Sequence, residues 1–352
     1  MKGFVLNSKD NVSWRDDLPI TKVGPLDALI RPTVISPCTT DIHLIHAPMM
    51  PSAIGKAMGH EAVGIVEKVG SEVAFFKPGD LVAVSAIQPD WRTIEAQENM
   101  GKLNDKCHYY TTDPEKGGCF AEFYHVFDAD MNLAPIPEGV TTEQAIALVD
   151  MGATGFTAVD SANIKFGDTV VIYGIGPVGL MCVQGAILKG AARVIGVGSR
   201  QVCFDVARQF GASDLVDYKK GDVCDQVFKL TNGKPVDSVI ITGGSTASYG
   251  TALKMIKVGG TVVNLSGFFD EDTVVLPNAA WMFGIEDKTI KTCKIQGGRA
   301  YLERLLKLTQ YKRLQPELII THRFHGLEKI EDAVSLMSSR DQSVIKPAVF
   351  ID

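Results

Sequence analysis

Apolar positions along this chain fall into two rhythms. Up to about residue 150 they come in short runs cut by Gly, Pro and Asp. Examples are Ala62-Val63-Gly64-Ile65-Val66, Leu81-Val82-Ala83-Val84 and Phe120-Ala121-Glu122-Phe123-Tyr124-His125-Val126. Such runs predict an antiparallel or barrel-like β domain. From about 154 strand, turn and helix alternate. Thr169-Val170-Val171-Ile172-Tyr173 leads into a Gly-rich turn and an apolar helix ending near Lys189-Gly190. Arg193-Val194-Ile195-Gly196-Val197 follows, then a helix over about 201–210, Ser238-Val239-Ile240-Ile241-Thr242 and Thr261-Val262-Val263-Asn264-Leu265. That alternation predicts βαβ units and a parallel sheet. The last fifty or so residues predict an amphipathic helix near 300–308 and strands near 318–320 and 344–351. Pattern alone does not assign them to either domain.

The uncharged run between Asp168 and Lys189 is long enough to span a bilayer. Its glycines, Pro177 and Gln184, behind a β-branched start, instead predict a strand, a tight turn and a buried helix. Met1-Lys2-Gly3-Phe4-Val5-Leu6 is too soon interrupted to be a secretory core. A soluble, non-membrane protein is expected. At 352 residues, two domains are expected at roughly 150 residues each. An apolar fraction of 45% with 22% charged residues excludes disorder, collagen and coiled coil. A net charge of −6 argues against a nucleic-acid partner or an anionic membrane. The seven cysteines are an odd number without a C-x-x-C pair. They point to reduced thiols in a cytoplasmic setting rather than a disulfide frame.

Gly174-Ile175-Gly176-Pro177-Val178-Gly179 is a G-x-G-x-x-G string between a predicted strand and helix. The first Gly permits the tight turn, the second a close approach to a pyrophosphate, and the third tight helix–strand packing. The helix N-terminus then offers free N–H groups to that anion. A dinucleotide is therefore expected. The end of the next strand reads Gly198-Ser199-Arg200, where an NAD site usually carries Asp or Glu. A small residue, a hydroxyl and a guanidinium suit a 2′-phosphate, with Tyr218 closing the adenine side, so the preference is for NADP(H).

Cys38, in Pro37-Cys38-Thr39-Thr40-Asp41-Ile42-His43, and His60, in Gly59-His60-Glu61-Ala62-Val63-Gly64, are good zinc-ligand types. Their spacing does not separate a metal pair from a buried thiol and a hydrogen-bonded histidine. Pattern does not find a third ligand. Asp150, closing Ala145-Ile146-Ala147-Leu148-Val149, must be solvated, paired or coordinating.

Gly59-His60-Glu61-Ala62-Val63-Gly64, with Val69-Gly70 and Lys77-Pro78-Gly79-Asp80, resembles the zinc signature of the medium-chain dehydrogenase/reductase superfamily. Together with Pro37 to His43, Pro89-Asp90-Trp91-Arg92, Asp128-Ala129-Asp130-Met131-Asn132-Leu133-Ala134 and Gly198-Ser199-Arg200, the chain is similar to the tetrameric NADP-dependent secondary alcohol dehydrogenases of anaerobic bacteria and protists. The resemblance runs through nearly the whole chain. It implies an α/β fold: a discontinuous β-rich GroES-like catalytic domain over 1–153 and 296–352, and a Rossmann doubly wound cofactor domain over 154–295. Zinc and nicotinamide are then expected across an interdomain cleft.

The resemblance also implies one catalytic zinc on Cys38, His60 and Asp150, with Glu61 as a secondary ligand. It implies Thr40 as relay hydroxyl and His43 as relay imidazole. Cofactor contacts fall on Gly174, Ile175, Gly176, Pro177, Val178, Gly179, Gly198, Ser199, Arg200, Tyr218, Leu265, Ser266, Gly267 and Arg340. The pocket residues are Ala86, Tyr110 and Lys294. Small secondary, and some primary, alcohols with their ketones or aldehydes are the expected substrates, and a homotetramer is the expected assembly. The lobe that carries a structural zinc in many relatives offers only Cys107 and Cys119 here, so no structural zinc is expected. The stretch 98–116, Lys294 and Gly267-Phe268-Phe269 depart from the family's pocket. They keep open an action on polyols, amino alcohols or larger carbonyls. A non-catalytic NADPH-binding role is the further alternative, disfavoured by the joint presence of Cys38, His60, Asp150, Thr40 and His43.

Overall fold

The computed structural model describes residues 1–47, 51–98, 116–268 and 271–351. Its contacts divide the chain into two compact units, Met1–Ala153 with Gln296–Asp352, and Thr154–Ile295. The first unit opens with a hairpin, β1 (Gly3–Ser8) and β2 (Asn11–Arg15), followed by β3 (Ala28–Ile35), α1 (Thr39–His46), β4 (Ala62–Val69) and β5 (Leu81–Val84). Next come α2 (Ile94–Gln97), β6 (Tyr124–Val126), α3 (Ala129–Asn132), β7 (Leu133–Pro135) and α4 (Thr142–Ala147). β3 is the hub, pairing antiparallel with both β4 and β6. Phe4, Ile30, Ile35, Val66, Val82, Phe120 and Leu133 are in the buried core around it.

The run from Phe120 to Val126 is a strand only over Tyr124–Val126. Its first half is sewn to two other segments. The Phe120 N–H donates to the Met58 carbonyl, the Phe4 N–H donates to the Phe120 carbonyl, and Ala121 bridges Gly3.

The second unit runs α5 (Ala153–Ser161), β8 (Thr169–Tyr173), α6 (Pro177–Leu188), β9 (Arg193–Gly198), α7 (Gln201–Gln209), β10 (Asp214–Asp217), α8 (Val223–Leu230), β11 (Val236–Ile241), α9 (Ala247–Met255), β12 (Ile256–Asn264) and β13 (Thr289–Thr292). All six strands are parallel, in the order β10-β9-β8-β11-β12-β13. This is the strand order of a doubly wound dinucleotide fold. Val170, Val171 and Ile172, like Val239 to Ile241, are fully buried, as expected of strands covered on both faces. The uncharged run is β8, the Gly turn and α6. Among the described residues no helix is long and apolar enough to cross a membrane. The register pairs Tyr173 with Val197 and with Ile241, so the strand-end loops at Gly174, Gly198 and Thr242 leave the sheet at one edge.

The chain then adds α10 (Arg299–Gln310), β14 (Ile320–His325), α11 (Ile330–Ser338) and β15 (Lys346–Phe350) to the first unit. β15 pairs antiparallel with β3 and parallel with β14. The strand expected near 318–320 begins only at Ile320. Pro316 starts a 3₁₀ turn, Pro316–Ile319, and β14 is half-exposed, so its polar Thr321, His322 and Arg323 hid it from an apolar reading.

Gly179 packs the Gly turn against β8. A Cβ there would stand 1.9 Å from the Gly174 carbonyl oxygen and 2.8 Å from Thr242 Oγ1. Gly179→Ala is therefore expected to lower the unfolding free energy by about 1–3 kcal/mol, as overpacking does. An unchanged denaturant midpoint would contradict this close approach.

Candidate active site

Three backbone devices bring the zinc-type residues together. Cys38 begins α1, and its N–H is held by Asp41 Oδ2 at 2.8 Å. His60 follows Gly59, whose φ of +91° favours glycine and where a Cβ would strike the Phe120 ring at 2.2 Å. Asp150 lies in a π-helical turn, Leu148–Gly152, between α4 and α5. Such turns widen a helix locally and recur at functional sites. One ligand atom from each of Cys38, His60, Glu61 and Asp150 falls within 4.8 Å of the others, and all four residues are buried. Asp150 Oδ2 is 3.4 Å from Cys38 Sγ and 3.4 Å from His60 Nε2.

Burial raises the Cys38 thiol above its ordinary range, and Asp150 adds to the rise. Burial pushes the Glu61 carboxyl up to about 8, against the pull of the Lys346 ammonium. Lys346 is itself raised, because Glu61, Cys38 and Asp150 outweigh its own burial. Ionised together, these groups leave the pocket short of positive charge. A thiolate and two carboxylates face one ammonium, an imbalance that a divalent cation removes. Glu61 Oε1 accepts from Lys346 Nζ at 2.6 Å, while its buried Oε2 accepts no hydrogen bond from the described residues. The donor set, one sulfur, one imidazole nitrogen and carboxylate oxygens, suits zinc. These residues fit the ion.

Thr40 Oγ1 lies 3.7 Å from Cys38 Sγ, placing the hydroxyl beside the cluster. His43, one turn further along α1, is exposed. Ala86 is buried in the first unit. Lys294 is exposed just past β13. Arg340 is exposed after α11, with a left-handed φ of 55°. Tyr110, Cys107 and Phe269 lie outside the described residues.

In the second unit Gly176 is the N-cap of α6, with Pro177 opening the helix. Pro at that place loses no hydrogen bond. Arg200 Nη2 stands 3.8 Å from where a Gly176 Cβ would sit, bringing the guanidinium to the Gly turn. Ser199 Oγ donates to Tyr218 OH at 2.9 Å. At the end of β12 the Leu265 N–H donates to the Ile241 carbonyl and the Ser266 N–H to Asn264 Oδ1, fixing the start of the Leu265-Ser266-Gly267 loop.

Residues 24–138 match the alcohol dehydrogenase GroES-like domain and 177–310 the zinc-binding dehydrogenase domain. An NADP-dependent isopropanol dehydrogenase of Thermoanaerobacter brockii is 44% identical over 353 residues, covering 100% of both chains. The chain belongs to the zinc-type alcohol dehydrogenase family. An NADP-dependent isopropanol dehydrogenase of Entamoeba histolytica is 42% identical, over 100% of this chain and 96% of its own. An alcohol dehydrogenase from Thermus sp. ATN1 superposes with a TM-score of 0.89 at 26% identity, covering 100% of both chains.

For a zinc-type dehydrogenase the cluster has two further members that sequence reasoning missed. Asp41 is fully buried, with Oδ1 3.6 Å from His60 Nδ1. A carboxylate on the far nitrogen orients a ligating imidazole. Lys346 is 1% exposed on β15 and donates to Glu61 and, at 2.7 Å, to the Pro37 carbonyl. The signal for it was a lone charge inside Val344-Ile345-Lys346-Pro347-Ala348-Val349. Lys346→Met leaves Glu61 buried without its cation and is expected to cost about 3–5 kcal/mol of stability. Adding Glu61→Gln should restore much of the loss in a double-mutant cycle. Equal losses in single and double variants would show that packing, not charge, is at stake.

Proposed function

We propose that the chain is a zinc-dependent oxidoreductase that interconverts secondary alcohols and ketones with NADP(H). The observation that carries this is the convergence of Cys38, His60, Glu61 and Asp150 on one buried point in a chain of this family. Cys38, His60 and Asp150 would hold the ion, and Glu61 stands by as a further ligand. A zinc ion held there supplies a Lewis acid for an alcohol or carbonyl oxygen. The nicotinamide of NADP(H) supplies the hydride acceptor or donor.

The chain's own residues do the rest. Asp41 keeps the His60 ring in orientation, and Lys346 holds one oxygen of Glu61. Thr40 Oγ1, beside Cys38, receives the alcohol proton, and exposed His43 on the same helix passes protons to water. The Gly174–Gly179 turn seats the pyrophosphate, with cofactor contacts at Ile175 to Val178, Leu265 to Gly267 and Arg340. Gly198, Ser199 and Arg200 receive the 2′-phosphate, and Tyr218 closes the adenine side.

We further propose one zinc per subunit, with no structural ion, and a cytoplasmic homotetramer.

Initial rates with 2-propanol and 2-butanol are expected to require NADP⁺ and to vanish on chelation, with zinc restoring them. Cys38→Ser should lower bound zinc and turnover together. No turnover in zinc-replete protein would reject the activity. Arg200→Ala should reduce the NADP over NAD preference in kcat/KM by about tenfold or more, the worth of a charge-assisted contact. An unchanged ratio would remove Arg200 from the 2′-phosphate site.

A further inference from the structure

The second unit holds a cavity of about 430 Å³ at the carboxyl edge of its sheet. Tyr173, Val197, Tyr218, Asp222, Val223 and Thr251 line it, with glycines from the strand-end loops. Its volume lies within the range of roughly 300–1,000 Å³ usual for small-ligand sites. The walls are two aromatic rings and two valines, a surface made for a flat, weakly polar group. Of the lining side chains only Asp222 is a carboxylate.

Two features say which group belongs there. In a doubly wound sheet the end of the second strand addresses the adenosine ribose, and here that strand is β9, ending at Gly198. Tyr218 connects that place to the cavity. Its hydroxyl accepts from Ser199 while its ring forms a cavity wall. A base attached to a ribose read by Ser199 therefore enters this cavity.

Asp222 is fixed by its own helix. It is the N-cap of α8, with Oδ1 accepting from the Asp225 N–H at 3.0 Å. Oδ2 accepts no hydrogen bond from the described residues. An ionised carboxylate only accepts, so its ligand partner must be a donor. The 6-amino group of adenine is such a donor; hypoxanthine carries an oxo acceptor at that position, with its nearest donor displaced to N1–H, so it loses the contact at position 6.

We propose that Asp222 is the base-selecting residue of the cofactor site, its free oxygen accepting from the exocyclic amine of adenine. The inference rests on the dinucleotide reading and deepens it. One side chain thus caps a helix and specifies the base.

The test is fluorescence titration, without catalysis, of NADPH and of its reduced hypoxanthine analogue. The wild-type chain is expected to bind NADPH about tenfold or more tighter, the size of a hydrogen bond to a charged group. Asp222→Ser keeps a capping oxygen but has no second acceptor and is too short to reach the base. It should narrow the ratio to about threefold or less, within the loss expected of that bond. Asp222→Asn keeps the cap through Oδ1 and turns an NH₂ towards the cavity, so it should move the preference towards the hypoxanthine form. This second variant serves if the first fails to fold. A wild-type ratio near one, or a ratio unchanged in both variants, overturns the assignment of Asp222 while leaving dinucleotide binding intact. Failure of the wild-type chain to bind either form rejects the dinucleotide reading and this inference with it.

Discussion

The first unit is organised around a deficit of positive charge. Cys38, Glu61 and Asp150 are buried within reach of one another, with the Lys346 ammonium and the His60 ring set against them. An uncompensated cluster of anions at that depth is costly. Three backbone features meet there: the left-handed Gly59, the π turn under Asp150 and the last strand, which delivers Lys346. A divalent cation would complete the group, and the donor types match those of a zinc site. The family membership of the chain agrees with that chemistry.

The second unit is governed by the alignment of strand ends. Because six parallel strands stop in register, the Gly turn, the Ser199 loop and the loop after β11 share one edge. Free N–H groups, a guanidinium and an aromatic hydroxyl are thereby collected from segments far apart in sequence. Tyr218 joins two of these functions, with its hydroxyl at Ser199 and its ring on the cavity.

What could be read beforehand follows from how each element is buried. β8 and β9 were legible because both faces are covered and their residues are β-branched. β14 was misplaced because one side meets solvent and its residues are polar. Asp150 is out of reach of any periodicity, since a π turn breaks the helical spacing that would have placed its side chain. Its role came from resemblance alone. Asp41 and Lys346 were in view as letters, yet their meaning depends on tertiary packing that brings α1, β4 and β15 to one point. The Asp222 cavity is less legible still, because a capping residue looks complete until the neighbouring strand ends are in place.

The order of these residues along the chain has a consequence for biosynthesis. A ribosome releases Cys38, His60, Glu61 and Asp150 early, then the whole of the second unit, and only afterwards β15 with Lys346. Domains generally fold as they emerge. The second unit has all its strands when Ile295 leaves the tunnel, but the first must wait for the strand that pairs Val34 and Ile35 of β3 and supplies Lys346. Completion of the first unit is thereby a late, long-range event tied to the arrival of its last strand.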